Sequence, residues 1–344
     1  MTVSDFVAPK TPQNKSRGKD VHYGSVLIIS LASLTIISCS KNSPSSATSS
    51  ETVDTAPKTE LKMVHIPAGE FIRGSNKVDT KGLKEQYGFA NDLYLDEHPE
   101  HKMHLDEFYI DTYEVSNALY KEYIFSTHRM VPFQWLNNGY SLHEDQLQSM
   151  EVGKLRTFAV DFFKLDMDTR AMDKPALIKA MLEKQKTMDN LPVGNVSWFN
   201  AKTYCEWRHA RLPTEAEWEK AARGESGQEY PWGNNWDPDI TNTGDNDQWE
   251  NGIAPVGSYN KNQSPYGAYD MAGNVWEWVA DWYEAYPGSD YQNDNFGKTN
   301  RVIRGGGGGI GHYAISYFFR AASRQFSEPE LESEDVGFRC AKDA

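Results

Sequence analysis

"SPYGAYDMAGNVWEWVADWY", residues 264–283, is crowded with aromatic residues, glycine, Asn and Asp and has no clean strand or helix period. It lies inside a longer segment of the same character, Tyr230 to Asn300. A backbone of that composition stays ordered only if something satisfies its polar groups, since buried N–H and C=O groups are nearly always paired. The stretch therefore points to packed loops between short elements rather than to long regular ones.

The flanks give clearer signals. "MVHIPAGEFIRGS", from Met63, brackets a Pro-Ala-Gly turn with apolar residues and predicts a short hairpin. "FYIDTYEVSNALYKEYI" begins strand-like and passes into a helical pattern at Ser116, with Ser116 or Asn117 as N-cap. In "RLPTEAEWEKAAR" Thr214 and Glu217 form a T-x-x-E capping box, and Trp218, Ala221 and Ala222 form an apolar stripe. Residues 139–190 are charged, Met-bearing and helical in pattern, broken near Pro175, and read as an insertion on the main domain.

The 344 residues carry a net charge of −14, which repels nucleic acid and anionic lipid headgroups, and no basic stripe argues otherwise. The long uncharged apolar run, residues 26–38, is too short to span a bilayer comfortably. Lys10, Lys15, Arg17 and Lys19 precede it, so residues 1–38 read as a signal peptide with a long basic n-region. The run ends in Ser38 and then Cys39, which resembles a bacterial lipoprotein box and implies lipidation of Cys39 with cleavage before it. An uncleaved signal anchor is the alternative, and either way the bulk of the chain is expected outside the cytoplasm. Residues 39–62, rich in Ser, Thr and Pro, read as a flexible tether, and residues 63–344 as the globular part.

Between Met63 and Ala341, "IPAGEFIRGS", "FYIDTYEVSNALYKEY", "PVGNVSWFNAKTYCEW", "RLPTEAEWEKAARG", "YPWGN", "APVGSY", "SPYGAYDMAGNVWEWVADWY", "RVIRGG" and "GFRCA" occur in the order found in the formylglycine-generating enzyme, or sulfatase-modifying factor, family, which the chain resembles. The resemblance implies an irregular α+β domain, a distant variant of the C-type lectin fold, with little regular secondary structure. It implies structural calcium. The family's ligands fall on the Asp270 side chain, the Gly273 and Val275 carbonyls and Glu277, a wrap of hard oxygen donors that suits calcium; solvated loop acids are the plain alternative. A second site falls, with a one-residue departure in spacing, on Asn242, the Thr243 carbonyl, Asp247 and the Trp249 carbonyl. The resemblance also implies a disulfide between Cys205 and Cys340, the alternative being two buried thiols.

Formylglycine-generating oxidases hold copper with two cysteines five residues apart. Aligned on "RVIRGG" and "FRAASR", those positions in this chain are Gly311 and Ser316, and Gly307 replaces the Ser that comes after R-G-G. Glycine has no ligand atom and a hydroxyl is a poor donor to Cu(I), so no copper is expected. The run "RGGGGGIGHYAISYFF" does satisfy G-x-G-x-x-G at Gly306, Gly308 and Gly311. The residues after Gly311 are strand-like rather than helix-opening, which argues against a dinucleotide site. His98, His101 and His104 have ligand-like spacing on a segment that the family makes an exposed approach to a strand. The expectation is an exported, lipid-anchored, non-catalytic member at the bacterial cell envelope, binding an envelope protein or glycan. The competing reading is a family oxidoreductase with altered chemistry.

Overall fold

Nine short strands and eight helices surround a large share of irregular chain in the computed structural model, which describes residues 62–244, 249, 252–307 and 316–344. The signal peptide, Cys39 and nearly all of the tether therefore lie outside the described residues. Strands β1 (Met63–Ile66), β2 (Gly69–Arg73), β3 (His101–Leu105) and β4 (Phe108–Asp111) come first. Helices α1 (Leu83–Tyr87), α2 (Asn117–Thr127), α3 (Phe133–Asn137), α4 (Glu144–Ser149), α5 (Val152–Asp161), α6 (Lys174–Met188), α7 (Trp198–Trp207) and α8 (Glu215–Arg223) occupy the first two thirds of the chain. Strands β5 (Trp276–Trp282), β6 (Arg301–Arg304), β7 (Gln325–Ser327), β8 (Val336–Phe338) and β9 (Ala341–Asp343) close it. They assemble as β1-β4-β9, β2-β3 and β7-β6-β5-β8, with β5 and β8 parallel and every other pair antiparallel. This is an irregular α+β fold, and the described residues all fall within one compact unit.

The hairpin expected at Pro67–Gly69 does not form. Val64 pairs with Ile110 of β4, whereas Phe71 pairs with Met103 of β3, so the corner carries the chain from one sheet into another. Buried Lys220 pins that corner by donating to the carbonyls of Pro67 at 2.6 Å and Gly69 at 3.1 Å. Other local signals behave as their chemistry dictates. Glu217 N donates to Thr214 Oγ1 at 3.2 Å while Thr214 N donates to Glu217 at 2.7 Å, a reciprocal box that starts α8. Asp173 caps α6 through Ala176 N, with Pro175 in the first turn, where its missing N–H removes no helical bond.

One aromatic core joins Tyr120 and Tyr123 of α2, Tyr204 of α7, Trp135 and Phe338. A second packs Trp218, Ala221 and Ala222 of α8 against Phe108, Ile110, Val279 and Val302. Residues 139–190 carry a core of their own, in which Leu147, Leu155, Ala159, Phe163, Leu177, Ile178 and Met181 are buried among α4, α5 and α6. A segment that buries its own apolar faces can sit on a domain without borrowing that domain's core.

Candidate functional site

The loop Tyr269–Val275, which feeds β5, takes backbone conformations that most residues avoid: φ is +58° at Asp270, +89° at Gly273 and +68° at Asn274. Gly273 has no alternative, because a Cβ there would stand 2.3 Å from Thr241 Oγ1 and 2.5 Å from the Asn242 carbonyl. Gly273 N donates to Gly305 O at 2.7 Å and so ties this loop to the glycine run.

Asp270 is buried, and its Oδ2 accepts from Gly257 N at 2.6 Å. Burial pushes its carboxyl up to about 6. Glu114, from the link between β4 and α2, adjoins it. Burial first, and then the Asp270 charge, push Glu114 well above the usual carboxylate range. Glu114 Oε1 accepts from Asn274 Nδ2 at 2.9 Å, while Oε2, fully buried, has no hydrogen-bond partner among the described residues. Asn274 in turn accepts from Asn242 Nδ2 at 3.0 Å and Ala254 N at 2.9 Å.

Glu277 stands differently. Arg339 grips it at both oxygens, at 2.6 and 2.7 Å, and Trp218 Nε1 donates to Oε2 at 2.9 Å. Glu114, Asp270 and Glu277 are all buried with a single guanidinium, Arg339, whose pKa the group raises further. Fully ionised, the group is two negative charges in excess. Hard oxygen donors, that excess and the orphaned Oε2 fit a hard divalent cation such as calcium. No three His, Cys, Asp or Glu side chains converge on one point among the described residues, so a cation here would need carbonyl donors as well.

Of the second expected calcium set, Asp247 lies outside the described residues. The Asn242 side chain donates to Gly252 O at 2.7 Å and accepts from Gly244 N at 3.1 Å, and the Trp249 carbonyl accepts from Gly252 N at 3.0 Å. Thr243 is buried beside them. His98, His101 and His104 are dispersed. His98 Nε2 meets Lys77 O, His101 Nδ1 meets Pro99 O, and His104 lies 3.8 Å from Asp106, because His101 and His104 take opposite faces of β3.

At the positions where the family's oxidases carry thiols, Gly311 lies outside the described residues, as does Gly308 before it. Ser316 begins the turn after them, its carbonyl accepting from Tyr230 Oη at 3.4 Å. The glycines at the start of the run are there for closeness. A Cβ on Gly306 would stand 2.9 Å from the Phe318 carbonyl and from Phe319, and one on Gly307 2.7 Å from the Trp276 ring. Among the described residues here none opens a helix, as a phosphate cradle requires. Cys205 and Cys340 are joined in a disulfide with their Cα atoms 5.6 Å apart. The bridge spans 135 residues and stabilises by roughly 4–5 kcal/mol in the chain-entropy model. Asp111 braces it, accepting from Cys340 N at 2.9 Å and from Arg208 at 2.7 and 3.0 Å.

The sequence reading missed the ionic core around α8. Glu215 pairs with Arg73, Arg304 and Arg324, and Glu219 with Arg223 and Arg304, all buried except the part-buried Arg73. A spacing signal was present, since Glu215 and Glu219 share a helix face with buried Trp218 and Ala222. Also unread was Arg301, whose guanidinium lies 3.6 Å from the Trp198 ring and 3.4 Å from that of Trp282.

The sulfatase-modifying factor enzyme 1-like domain is matched by residues 49–344. The chain belongs to that family. It is 30% identical over 303 residues to the formylglycine-generating enzyme of Mus musculus, covering 83% of this chain and 76% of that protein. It is 31% identical over 303 residues to the inactive C-alpha-formylglycine-generating enzyme 2 of Bos taurus, covering 83% and 89%. Against the formylglycine-generating enzyme of Streptomyces coelicolor the figures are 30% over 319 residues, 88% and 96%. Among solved structures, PvdO from Pseudomonas aeruginosa superposes with a TM-score of 0.51 at 22% identity, covering 82% of this chain and 94% of that one. Treponema denticola variable protein 1 gives 0.53 at 19%, covering 83% and 96%. Both likenesses bear on the fold alone.

Proposed function

We propose that this sulfatase-modifying-factor family member is non-catalytic and serves as a binding or assembly component, anchored by lipid at Cys39 to the bacterial cell envelope, with calcium as a structural ion. One observation carries the reading. The chain has three cysteines, of which Cys205 and Cys340 are bridged and Cys39 precedes the globular part, so no pair of thiolates remains to hold Cu(I). A family relative described as inactive is as similar to the chain as those described as enzymes, so the fold persists without the reaction. The acidic body and the Ser/Thr/Pro-rich tether agree with a domain displayed at a distance from a membrane, whose partner would be an envelope protein or glycan. Among the described residues no helix is long and apolar enough to cross a membrane.

The test is Cu(I) competition titration of the purified protein beside a Gly311→Cys/Ser316→Cys variant. The parent should fail to take copper from a thiol-type competitor and the variant should gain binding. Tight stoichiometric binding by the parent would favour an oxidoreductase with altered chemistry. Intact-mass measurement on membrane-extracted protein checks the anchor: diacylglyceryl and acyl mass on Cys39 supports it, and retention of Met1 removes it.

A further inference from the structure

We propose that the cavity at Asp96 is a binding site for a primary ammonium group on a slim alkyl stem, the chemistry of a lysine side chain or of a free alkylamine. The inference rests on the reading of the protein as a binding component and gives that role a ligand class.

The cavity opens between the segment that links β2 to β3 and the chain that follows Ser316. Phe89, Leu93, Phe318 and Phe326 give it apolar walls, with Phe89 edge-on to Phe318 at 5.5 Å and Phe326 stacked on Tyr283 at 4.4 Å. Asp96 is the lining group with charge to offer. It is 6% exposed, its Oδ2 accepts from Tyr283 Oη at 2.8 Å, and no Lys or Arg side chain is in ion-pair contact with it among the described residues. The other charges that line the cavity are answered. Arg324 holds Glu215 through Nε at 2.7 Å and Nη2 at 3.1 Å, and its Nη1 donates at 2.7 Å to the Asp96 backbone carbonyl rather than to the carboxylate. Asp92 is paired with Lys84 at 2.5 Å. Burial outweighs the pull of the nearby Arg324 charge and pushes the Asp96 carboxyl up to about 6, the state of a carboxylate short of a partner.

Size and wall chemistry choose the cation. The cavity holds about 30 Å³, where one water needs roughly 10–15 Å³, so an ammonium head and the first carbon of its stem fill it. Calcium would want six or more oxygens and would meet mostly carbon. A planar guanidinium is wider than the space. An ammonium head is the size of a water, donates to the Asp96 carboxylate in a site that excludes solvent, and leaves its methylenes against the Phe and Leu walls. The competing settlement is a proton on Asp96 with water in the cavity.

Calorimetric titration of the purified protein with n-butylammonium, Nα-acetyl-lysinamide and tetramethylammonium decides between them. The parent should bind n-butylammonium saturably and one to one, and tetramethylammonium, which is wider and has no N–H, more weakly by about tenfold or more. Asp96→Asn keeps an oxygen for Tyr283 Oη and removes the charge, so it should stay folded and lose about tenfold or more in n-butylammonium affinity. Should that variant fail to fold, Asn91→Phe decides in its place. Asn91 is a half-buried lining residue, and a ring there should obstruct the cavity without touching the carboxylate. Binding of Nα-acetyl-lysinamide at the affinity of n-butylammonium would point to a lysine of a partner polypeptide, and binding of n-butylammonium alone to a free amine. Absence of saturable n-butylammonium binding by the parent, equal binding of tetramethylammonium, or parental affinity in the variant would overturn the site and leave the protonated Asp96. None of these results bears on copper binding, so the non-catalytic reading would stand or fall separately.

Discussion

Arg339 and Glu277 form a fully buried two-point ion pair, Nε to Oε2 at 2.6 Å and Nη2 to Oε1 at 2.7 Å, between the last strand region and the start of β5. Arg339 also donates to the carbonyls of Asp111, Thr112 and Tyr269, so one side chain joins β4, the Asp270 loop and β5. Arg339→Ala should destabilise by about 3–5 kcal/mol, because it leaves a buried carboxylate with no opposing charge and only the Trp218 indole as donor. Urea unfolding with an unchanged m-value would report it, and a loss below about 1 kcal/mol would mean that water reaches Glu277.

Glycine substitutions should split by surroundings. Gly273→Ala meets Thr241 and Asn242 at a φ of +89°, and should lower stability by roughly 2–4 kcal/mol. Gly153, in α5 with nothing near its missing Cβ, should accept Ala with a gain of about 0.5–1 kcal/mol. Equal effects at the two sites would show that the close packing at Gly273 is not real.

Acid should attack the ionic core. Burial alone would raise Glu215, but the charges of Arg324, Arg304 and Arg73 overcome it and hold its carboxyl at about 2. A folded value below the unfolded one contributes stability that is fully present above the ordinary glutamate value of 4.5 and is lost as pH falls toward 2. The loss is on the order of 3 kcal/mol for this group. Chemical denaturation midpoints measured from about pH 5 down to about pH 2.5, the window set by those two values, should fall steadily. A flat profile would mean that Glu215 is not ionised in the folded protein.

Much of this molecule is legible locally. The Thr214–Glu217 box and the start of α2 at Ser116 depend on residues within four positions of one another, and the structure has them as read, while the break expected near Pro175 is where α6 begins. The Pro67–Gly69 corner was misread because turn chemistry fixes a bend and not which strands pair across it; β4 and β3 outcompete β1 and β2 for each other. The ionic core was illegible for a related reason. Glu215 is polar at a helix N-terminus, where solvent exposure is the ordinary expectation, and its guanidinium partners arrive from about 90 to 140 positions away. Glu114 stood unnoticed within a motif, since only folding brings it to Asp270. The cysteines were readable by counting, and their bridge came from the family resemblance.

Absence of catalysis is open to mass spectrometry of a sulfatase-type Cys-containing peptide incubated with the purified parent protein, copper and oxygen. A parallel reaction contains the Gly311→Cys/Ser316→Cys variant. Two thiolates must hold Cu(I) for the oxidation, and the parent's other cysteines are bridged or outside the globular part. An unmodified peptide is expected from the parent at every time point. Conversion of the peptide's cysteine to formylglycine by the parent, above a copper-only control, would contradict a non-catalytic role.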